Sequence, residues 1–149
     1  MILGNFMKIK QLNKNYLNEL VKLDGLAFKP LRKKLGRHSS KDAREYFIFT
    51  FKRGKLFGYF INDKLIGCVG IVAEKKHKCA EIEHVLVNPK YQGRGIGKEL
   101  MKFAEKQAKK QGIKALKLHV RCKNEKAFAL YKKCGFNEHA YIMIKKVRQ

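Results

Sequence analysis

The sequence predicts one α/β domain built on a mixed, mostly antiparallel sheet with helices on both of its faces. Its 149 residues suit a single domain with an ordinary core, and a hydrophobic content of 45% is typical of a globular chain. Local patterns follow the order β-α-α-β-β-β-α-β-α-β, which favours a layered α/β fold. Because no repeat or linker-like stretch interrupts these patterns, we expect one domain over residues 1–149.

The first third of the chain predicts one strand and two helices. Alternation in Lys8–Leu12 indicates the strand, and Asn13 or Asn15 can cap a helix that runs to about Ala27. Residues 29–38 form a basic loop. A second helix is expected from a cap at Ser39 or Ser40 to about Phe51, although residues 46–51 also have high β propensity.

The rest of the chain alternates between strand and helix patterns. An amphipathic helix is expected from Ile96 to about Gln111, and another between a cap at Asn124 and an ending at Gly135. Residues 62–64 indicate a hairpin turn. The predicted strands are Lys55–Ile61, Leu65–Ala73, Cys79–Val87, Ala115–Val120 and a final one from Phe136 to about Val147.

A glycine-rich turn lies where the strand ending at Val87 gives way to a helix. Gly93, Gly95 and Gly97 occupy alternate positions, and glycine permits both a left-handed backbone and close approach of a ligand. A helix N-terminus behind such a turn offers free N–H groups to a phosphate or pyrophosphate. The spacing matches neither the G-x-G-x-x-G turn of dinucleotide folds nor the P-loop, because Glu99 stands where the P-loop has Ser or Thr.

Two segments of the chain carry a family resemblance. Residues 85–101, with the pattern Gln-x-x-Gly-x-Gly, resemble the acyl-CoA-binding motif of the GNAT superfamily of N-acetyltransferases. Residues 124–136 are similar to its second signature, N-x-x-A-x-x-L-Y-x-x-x-G-F. The resemblance covers about residues 55–147. It implies a GNAT fold, acetyl-CoA as cofactor, and acetyl transfer to a primary amine of a small molecule or protein by direct attack on the thioester.

The resemblance also implies which residues bind the cofactor. The turn would cradle the pyrophosphate, the strand before it would pair with the pantetheine arm, and the strands beside that point would splay apart. Asn124 would bond the pantetheine. The implied cofactor-binding residues are Val85, Leu86, Val87, Gln92, Gly93, Arg94, Gly95, Ile96, Gly97, Lys98, Asn124 and Tyr131.

Catalysis requires an acid for the departing thiolate and a base for the ammonium. The resemblance implies that Tyr131, seven positions beyond Asn124 on the same helix face, is the acid. Three residues stay open as the base. Glu81 and Glu83 share one face of their strand, with His84 expected on the other. His119 stands where the similar ribosomal-protein-alanine acetyltransferases carry a glutamate. The segment after Phe136 is shorter than the hairpin that enzymes acting on peptide N-termini carry there, which speaks against a peptide N-terminus as the acceptor.

The amino-acid composition indicates which partners and which cellular compartment to expect. The formal net charge of +23, from 35 basic and 12 acidic residues, favours contact with polyanions such as nucleic acid or the ribosome. A non-catalytic acyl-CoA-binding or nucleic-acid-binding module on the same fold is therefore the alternative function. The four cysteines form no C-x-x-C pair, so we expect free thiols in a reducing cytoplasm and no metal site. No apolar run approaches the about 20 residues of a membrane span, and we expect a monomer or homodimer.

Overall fold

The structure is a computed structural model that describes residues 6–31 and 39–148. Four α-helices and five strands are present in this part of the chain, with short 3-10 turns between several of them. The strands are β1 (Met7–Gln11), β2 (Lys55–Ile61), β3 (Lys64–Glu74), β4 (Cys79–Val87) and β5 (Ala115–Lys117). The helices are α1 (Leu17–Phe28), α2 (Ser40–Arg53), α3 (Ile96–Lys110) and α4 (Glu125–Lys133).

The five strands form one sheet in the order β1-β2-β3-β4-β5. The first three pairings are antiparallel, and β4 pairs with β5 in parallel. A tight turn at Asn62 and Asp63, both with positive φ, joins β2 to β3 as a hairpin. The sheet is therefore mixed and mostly antiparallel, as the sequence predicts.

Helices cover both faces of the sheet, which confirms the predicted layering. On one face, Leu100 and Ala104 of α3 belong to the same cluster of buried side chains as Ile82 of β4. On the other face, Leu20 of α1 and Phe47 of α2 join a second cluster of buried side chains. The two clusters draw on alternate residues of the same strands, because side chains of a strand point to opposite faces in turn.

Helix α2 forms despite the β propensity of its second half. Ser39 and Asp42 make a reciprocal capping box, in which the Ser39 hydroxyl accepts from the Asp42 amide at 3.1 Å. Phe47 and Thr50, one turn apart, are fully buried beneath the helix. Capping and the packing of one face thus make this segment a helix, although its residue propensities alone are ambiguous. Of the predicted basic loop, residues 32–38 lie outside the described residues.

The prediction of a final strand over residues 136–147 is wrong. Residues 136–148 contain neither helix nor strand, and β5 ends at Lys117 and not at Val120. A strand exists only where a neighbouring strand supplies hydrogen-bond partners. Both segments have the composition of strands, but among the described residues β5 has β4 as its single neighbour and residues 136–148 have no strand beside them.

Candidate active site

Side chains fix the path of the turn between β4 and α3. Asn88 accepts a hydrogen bond from the Lys90 amide at 3.0 Å, which starts the 3-10 turn Pro89–Tyr91. The side-chain amide of Gln92 then donates to the Val87 carbonyl at 3.1 Å. These contacts tie both ends of the turn to the end of β4, so the turn presents a fixed backbone surface.

The glycines of the turn serve two different purposes. Gly93 and Gly95 have φ values of +78° and +81°, a left-handed conformation that other residues adopt at a cost. A Cβ added at either position would meet nothing within 4 Å, so the surface beside them is open to a ligand. At Gly97, by contrast, a Cβ would lie 2.9 Å from a methyl group of Leu130. Gly97 therefore lets α4 pack closely against the start of α3.

The start of α3 is suited to an anion. Gly95 is its N-cap and provides no side-chain cap, so the amides of the first turn keep their hydrogen-bonding capacity. Cationic side chains surround the turn at Lys90, Arg94 and Lys98. The Arg94 guanidinium lies over the Tyr91 ring, 5.1 Å from its centroid. Amides, helix dipole and cations together match the charge of a phosphate or pyrophosphate.

Part of one edge of β4 has no described strand beside it, and we call the space along this edge the slot. The parallel pairing between β4 and β5 covers only Cys79–Glu81 and Ala115–Lys117, whereas β4 continues to Val87. From Ile82 onward, the edge of β4 that faces β5 has no described strand beside it. The two strands thus part as the resemblance implied, and the backbone of Val85 and Val87 can accept an extended ligand as an additional strand.

A bulge in β4 places two polar side chains together. The pairing of β3 with β4 shifts between Cys68 and Gly70, and His84 at the bulge has a φ of +50°. This conformation interrupts the alternation of the strand. The prediction that His84 faces away from Glu83 is therefore wrong, because both side chains reach the hydroxyl of Thr50.

Thr50 joins α2 to this bulge and was not identified from the sequence. Its hydroxyl oxygen lies 2.6 Å from Glu83 Oε2 and 2.8 Å from His84 Nε2. The His84 ring also stacks on Phe47, with ring centroids 4.3 Å apart. A hydroxyl that is fully buried needs partners, and this one lies within hydrogen-bond distance of the Tyr46 carbonyl, the Glu83 carboxylate and the His84 imidazole. Thr50 lies 33 positions before Glu83 and 34 positions before His84, and no sequence pattern connects residues that far apart.

Replacing Thr50 with Val is expected to lower the free energy of unfolding by about 1–3 kcal/mol, because Glu83 and His84 would lose a hydrogen-bond partner at a buried site. Urea unfolding measures the change. Thr50→Ser is the matched control, since it keeps the hydroxyl and should lose much less. An equal loss in both variants would show that the methyl group matters and the hydroxyl does not.

The structure also pairs two of the three candidate bases. His119 Nδ1 lies 2.8 Å from Glu81 Oε1, and this pair sits just where β4 and β5 separate. The side chain of His119 is 71% exposed and that of Glu81 is 21% exposed. Glu83 lies further along β4, at the bulge and beside His84, so the three predicted bases are in two places: Glu81 pairs with His119, and Glu83 stands apart from them.

Tyr131 lies on α4, beyond the cap that Asn124 provides. Asn124 accepts a hydrogen bond from the Ala127 amide at 3.3 Å, which confirms its predicted role as N-cap. The Tyr131 ring is half-buried and packs edge-on against Phe136, with centroids 6.0 Å apart. Burial, and to a lesser extent the Cys134 thiol, raises the pKa of Tyr131 to about 12. Its hydroxyl has no hydrogen-bond partner among the described residues and stays protonated at neutral pH.

Neither a metal site nor a membrane span is found in the described part of the chain. No group of three His, Cys, Asp or Glu residues there is placed to hold an ion. None of its helices has both the length and the apolar character needed to cross a bilayer. All four cysteines are free thiols.

The chain is similar in sequence to known N-acetyltransferases. The sequence model of the acetyltransferase (GNAT) family matches residues 19–136. An uncharacterised N-acetyltransferase of Methanocaldococcus jannaschii, MJ1207, is 33% identical over 138 residues, which are 87% of this chain and 60% of that protein. The chain thus spans less than two thirds of that relative.

Solved structures share the fold. The ribosomal-protein-S18-alanine N-acetyltransferase of Escherichia coli superimposes with a TM-score of 0.74 at 25% identity, over 91% of this chain and 80% of that one. The aminoglycoside N-acetyltransferase AAC(6')-Iy, in complex with CoA, gives a TM-score of 0.74 at 16% identity, over 100% and 99% of the two chains. The second likeness is one of fold alone.

Proposed function

The chain belongs to the acetyltransferase (GNAT) family, and from this premise we propose that it is an acetyl-CoA-dependent N-acetyltransferase acting on a primary amine. The observation that supports this most strongly is the slot beside β4. It begins at the glycine turn, runs along the free edge at Val85–Val87 and reaches the bulge and the Glu81–His119 pair. A slot with an anion site at one end and proton-transfer groups at the other suits acyl transfer from a phosphate-bearing thioester.

The residues of the slot fit acetyl-CoA. Amides of the turn Gln92–Gly97 would bind the pyrophosphate, with Lys90, Arg94 and Lys98 adding charge. The edge of Val85–Val87 would pair with the pantetheine arm, and the amide of Leu86 or Val87 would donate to the thioester oxygen. Bound acetyl-CoA would supply the activated acetyl group.

We assign the base to His119, oriented by Glu81. With its Nδ1–H donating to Glu81, the imidazole presents Nε2 as the acceptor for a proton of the ammonium. Its exposure lets an amine from solution reach it. Glu83 is less suited, because the Thr50 hydroxyl already engages its carboxylate. The Tyr131 hydroxyl, protonated at neutral pH, would then give its proton to the departing thiolate.

This assignment predicts different effects for two variants. His119→Gln should lower kcat/KM by roughly 100–1,000-fold through loss of general base catalysis. Glu83→Gln, the matched control on the neighbouring group, should keep kcat/KM close to the wild-type value. Rates of acetyl transfer to an accepted amine, measured at one pH for both variants, decide between them. A wild-type kcat/KM in His119→Gln together with a large loss in Glu83→Gln would overturn the assignment.

The acceptor can be identified by measuring thiol release from acetyl-CoA with a panel of primary amines. The names of relatives point to an aminoglycoside and to an alanine of a ribosomal protein as acceptors to include. A polyamine completes the panel, although like charge disfavours it. We expect at least one amine to accelerate thiol release. If the protein binds acetyl-CoA but no amine accelerates thiol release, the result would instead support a non-catalytic acyl-CoA-binding module.

The basic charge supports a second, additional role. A net charge of +23 favours contact with nucleic acid or the ribosome, and a ribosomal-protein acceptor would make such contact productive. The free thiols are consistent with a reducing cytoplasm as the site of action. Charge of this kind would raise the local concentration of enzyme near an acceptor and would leave the chemistry of transfer unchanged.

A further inference from the structure

Side chains from two other elements hold the bulge in β4. The His84 carbonyl accepts a hydrogen bond from the Cys68 thiol of β3 at 3.2 Å. The His84 ring stacks on Phe47 of α2, and its Nε2 lies 2.8 Å from the Thr50 hydroxyl. All three partners of His84 are fully buried. Burial raises the pKa of the Cys68 thiol, so the thiol keeps the proton that it donates.

These contacts stabilise a conformation that strand pairing does not hold. The register of β3 and β4 is interrupted between Cys68 and Gly70, opposite the bulge. At this point His84 has a φ of +50°, which a residue with a Cβ adopts only at a cost. The contacts with the carbonyl and the ring of His84 offset that cost. The bulge therefore depends on the Thr50 hydroxyl and the Cys68 thiol.

The bulge decides which backbone amides of β4 face the slot. The Asn88 amide donates to the Ile66 carbonyl of β3 at 2.8 Å, so it points away from the slot. Successive amides of a strand point to opposite edges. The Val87 amide therefore faces the slot, whereas the Leu86 amide faces β3. A bulge adds one residue to its strand, and without that residue the alternation after it would reverse, which would turn the Val87 amide toward β3.

We propose that Thr50 and Cys68 are positioning residues for acetyl transfer. By holding His84 at the bulge, they direct the Val87 amide toward the thioester oxygen. This role rests on the proposed function and narrows it, because Leu86 and Val87 are both candidate donors there. Neither Thr50 nor Cys68 needs to touch acetyl-CoA, since each acts through the backbone of β4.

A donor that is fixed in advance at this oxygen favours the transfer step. As the deprotonated amine bonds to the carbonyl carbon, negative charge gathers on the oxygen. The C–S bond then breaks, and the departing thiolate takes a proton from the acid. A preorganised amide stabilises the charged stage and needs no rearrangement during the reaction. We therefore expect loss of the two contacts to lower kcat more than it weakens acetyl-CoA binding.

The test combines infrared spectroscopy, binding and kinetics on Thr50→Val combined with Cys68→Ala. A hydrogen bond to the carbonyl oxygen of bound, carbonyl-labelled acetyl-CoA lowers the stretching frequency of that carbonyl. The band should therefore lie at higher frequency in the variant than in the wild type. The dissociation constant should rise by less than about threefold, because the glycine turn is unchanged. With an amine that the wild type acetylates, kcat should fall roughly 10–100-fold.

Conservative variants are the matched controls. Thr50→Ser combined with Cys68→Ser keeps both hydrogen-bonding groups and should keep the wild-type band and kcat. Cys79→Ala removes a thiol at the start of β4, away from the bulge, and should keep both as well. Circular dichroism shows whether each variant folds. If the combined variant does not fold, Thr50→Val and Cys68→Ala tested singly should each shift the band in the same direction by a smaller amount.

The infrared band needs no acceptor, so it tests the positioning role before the amine is known. An unchanged band in the folded Thr50→Val and Cys68→Ala variants would overturn the proposal. An equal shift in the serine variant would overturn it too, since packing and not hydrogen bonding would then hold the bulge. A wild-type protein that binds no acetyl-CoA would overturn the proposed function itself, and the positioning role with it.

Discussion

Gly95→Asp is expected to abolish measurable acetyl-CoA binding. The substitution puts a carboxylate at the N-cap of α3, in the open space where we place the pyrophosphate. Like charges at close range cost several kcal/mol, so the dissociation constant should rise on the order of 100–1,000-fold. The variant also gives a left-handed φ of +81° to a residue with a side chain, which costs stability. Isothermal titration measures the loss of affinity.

Gly112→Asp separates these two effects. Gly112 has a similar φ of +72°, and a Cβ there would also meet nothing within 4 Å, but it lies at the other end of α3. This control should lose stability and keep its affinity for acetyl-CoA. If both variants lost affinity equally, backbone strain would explain the result. If Gly95→Asp bound as tightly as the wild type, the pyrophosphate would not lie at this turn.

Tyr131→Phe is expected to lower kcat by roughly 100–10,000-fold, the range for removal of a general acid. Affinity for acetyl-CoA should change little, because the ring and its contact with Phe136 remain. Since burial raises the pKa of Tyr131 to about 12, the hydroxyl keeps its proton at neutral and moderately alkaline pH. Loss of this donor should therefore reduce wild-type activity only as pH approaches that value. Steady-state rates across pH, with titration of acetyl-CoA, measure both effects.

Tyr59→Phe serves as the matched control for this variant. Tyr59 is a buried tyrosine of β2 whose hydroxyl contacts the Met7 sulfur at 3.1 Å. Loss of the Tyr59 hydroxyl should lower the free energy of unfolding and leave kcat nearly unchanged. A normal kcat in Tyr131→Phe would show that Tyr131 is not the general acid. An equal fall in kcat in both variants would point to general damage of the fold.

Local features of the chain were predictable from the sequence. The cap at Ser39, the turn at Asn62 and Asp63, and the glycine turn before α3 depend on residues close in sequence. The resemblance to the family pointed to the free edge of β4, because one motif covers the end of β4, the turn and the start of α3, and the other covers α4. Each of these elements appears in the structure at or near its expected position.

Features that depend on distant residues were not predictable in this way. Thr50 meets Glu83 and His84 only after α2 packs on the sheet, and the left-handed conformation of His84 has no signal in its residue type. Likewise, the composition of residues 136–147 indicates a strand, but a strand forms only beside a partner. Local sequence therefore gives the tendency of a segment, whereas pairing decides its structure.

We propose that the turn and the slot beside β4 bind acetyl-CoA. Isothermal titration of the wild-type protein with acetyl-CoA, at low and high salt, tests it most directly. We predict saturable binding to one site per chain at both salt concentrations, weaker at high salt because phosphate contacts are screened. Absence of binding at both would contradict the claim, and nucleic acid would then become the leading partner for this basic surface.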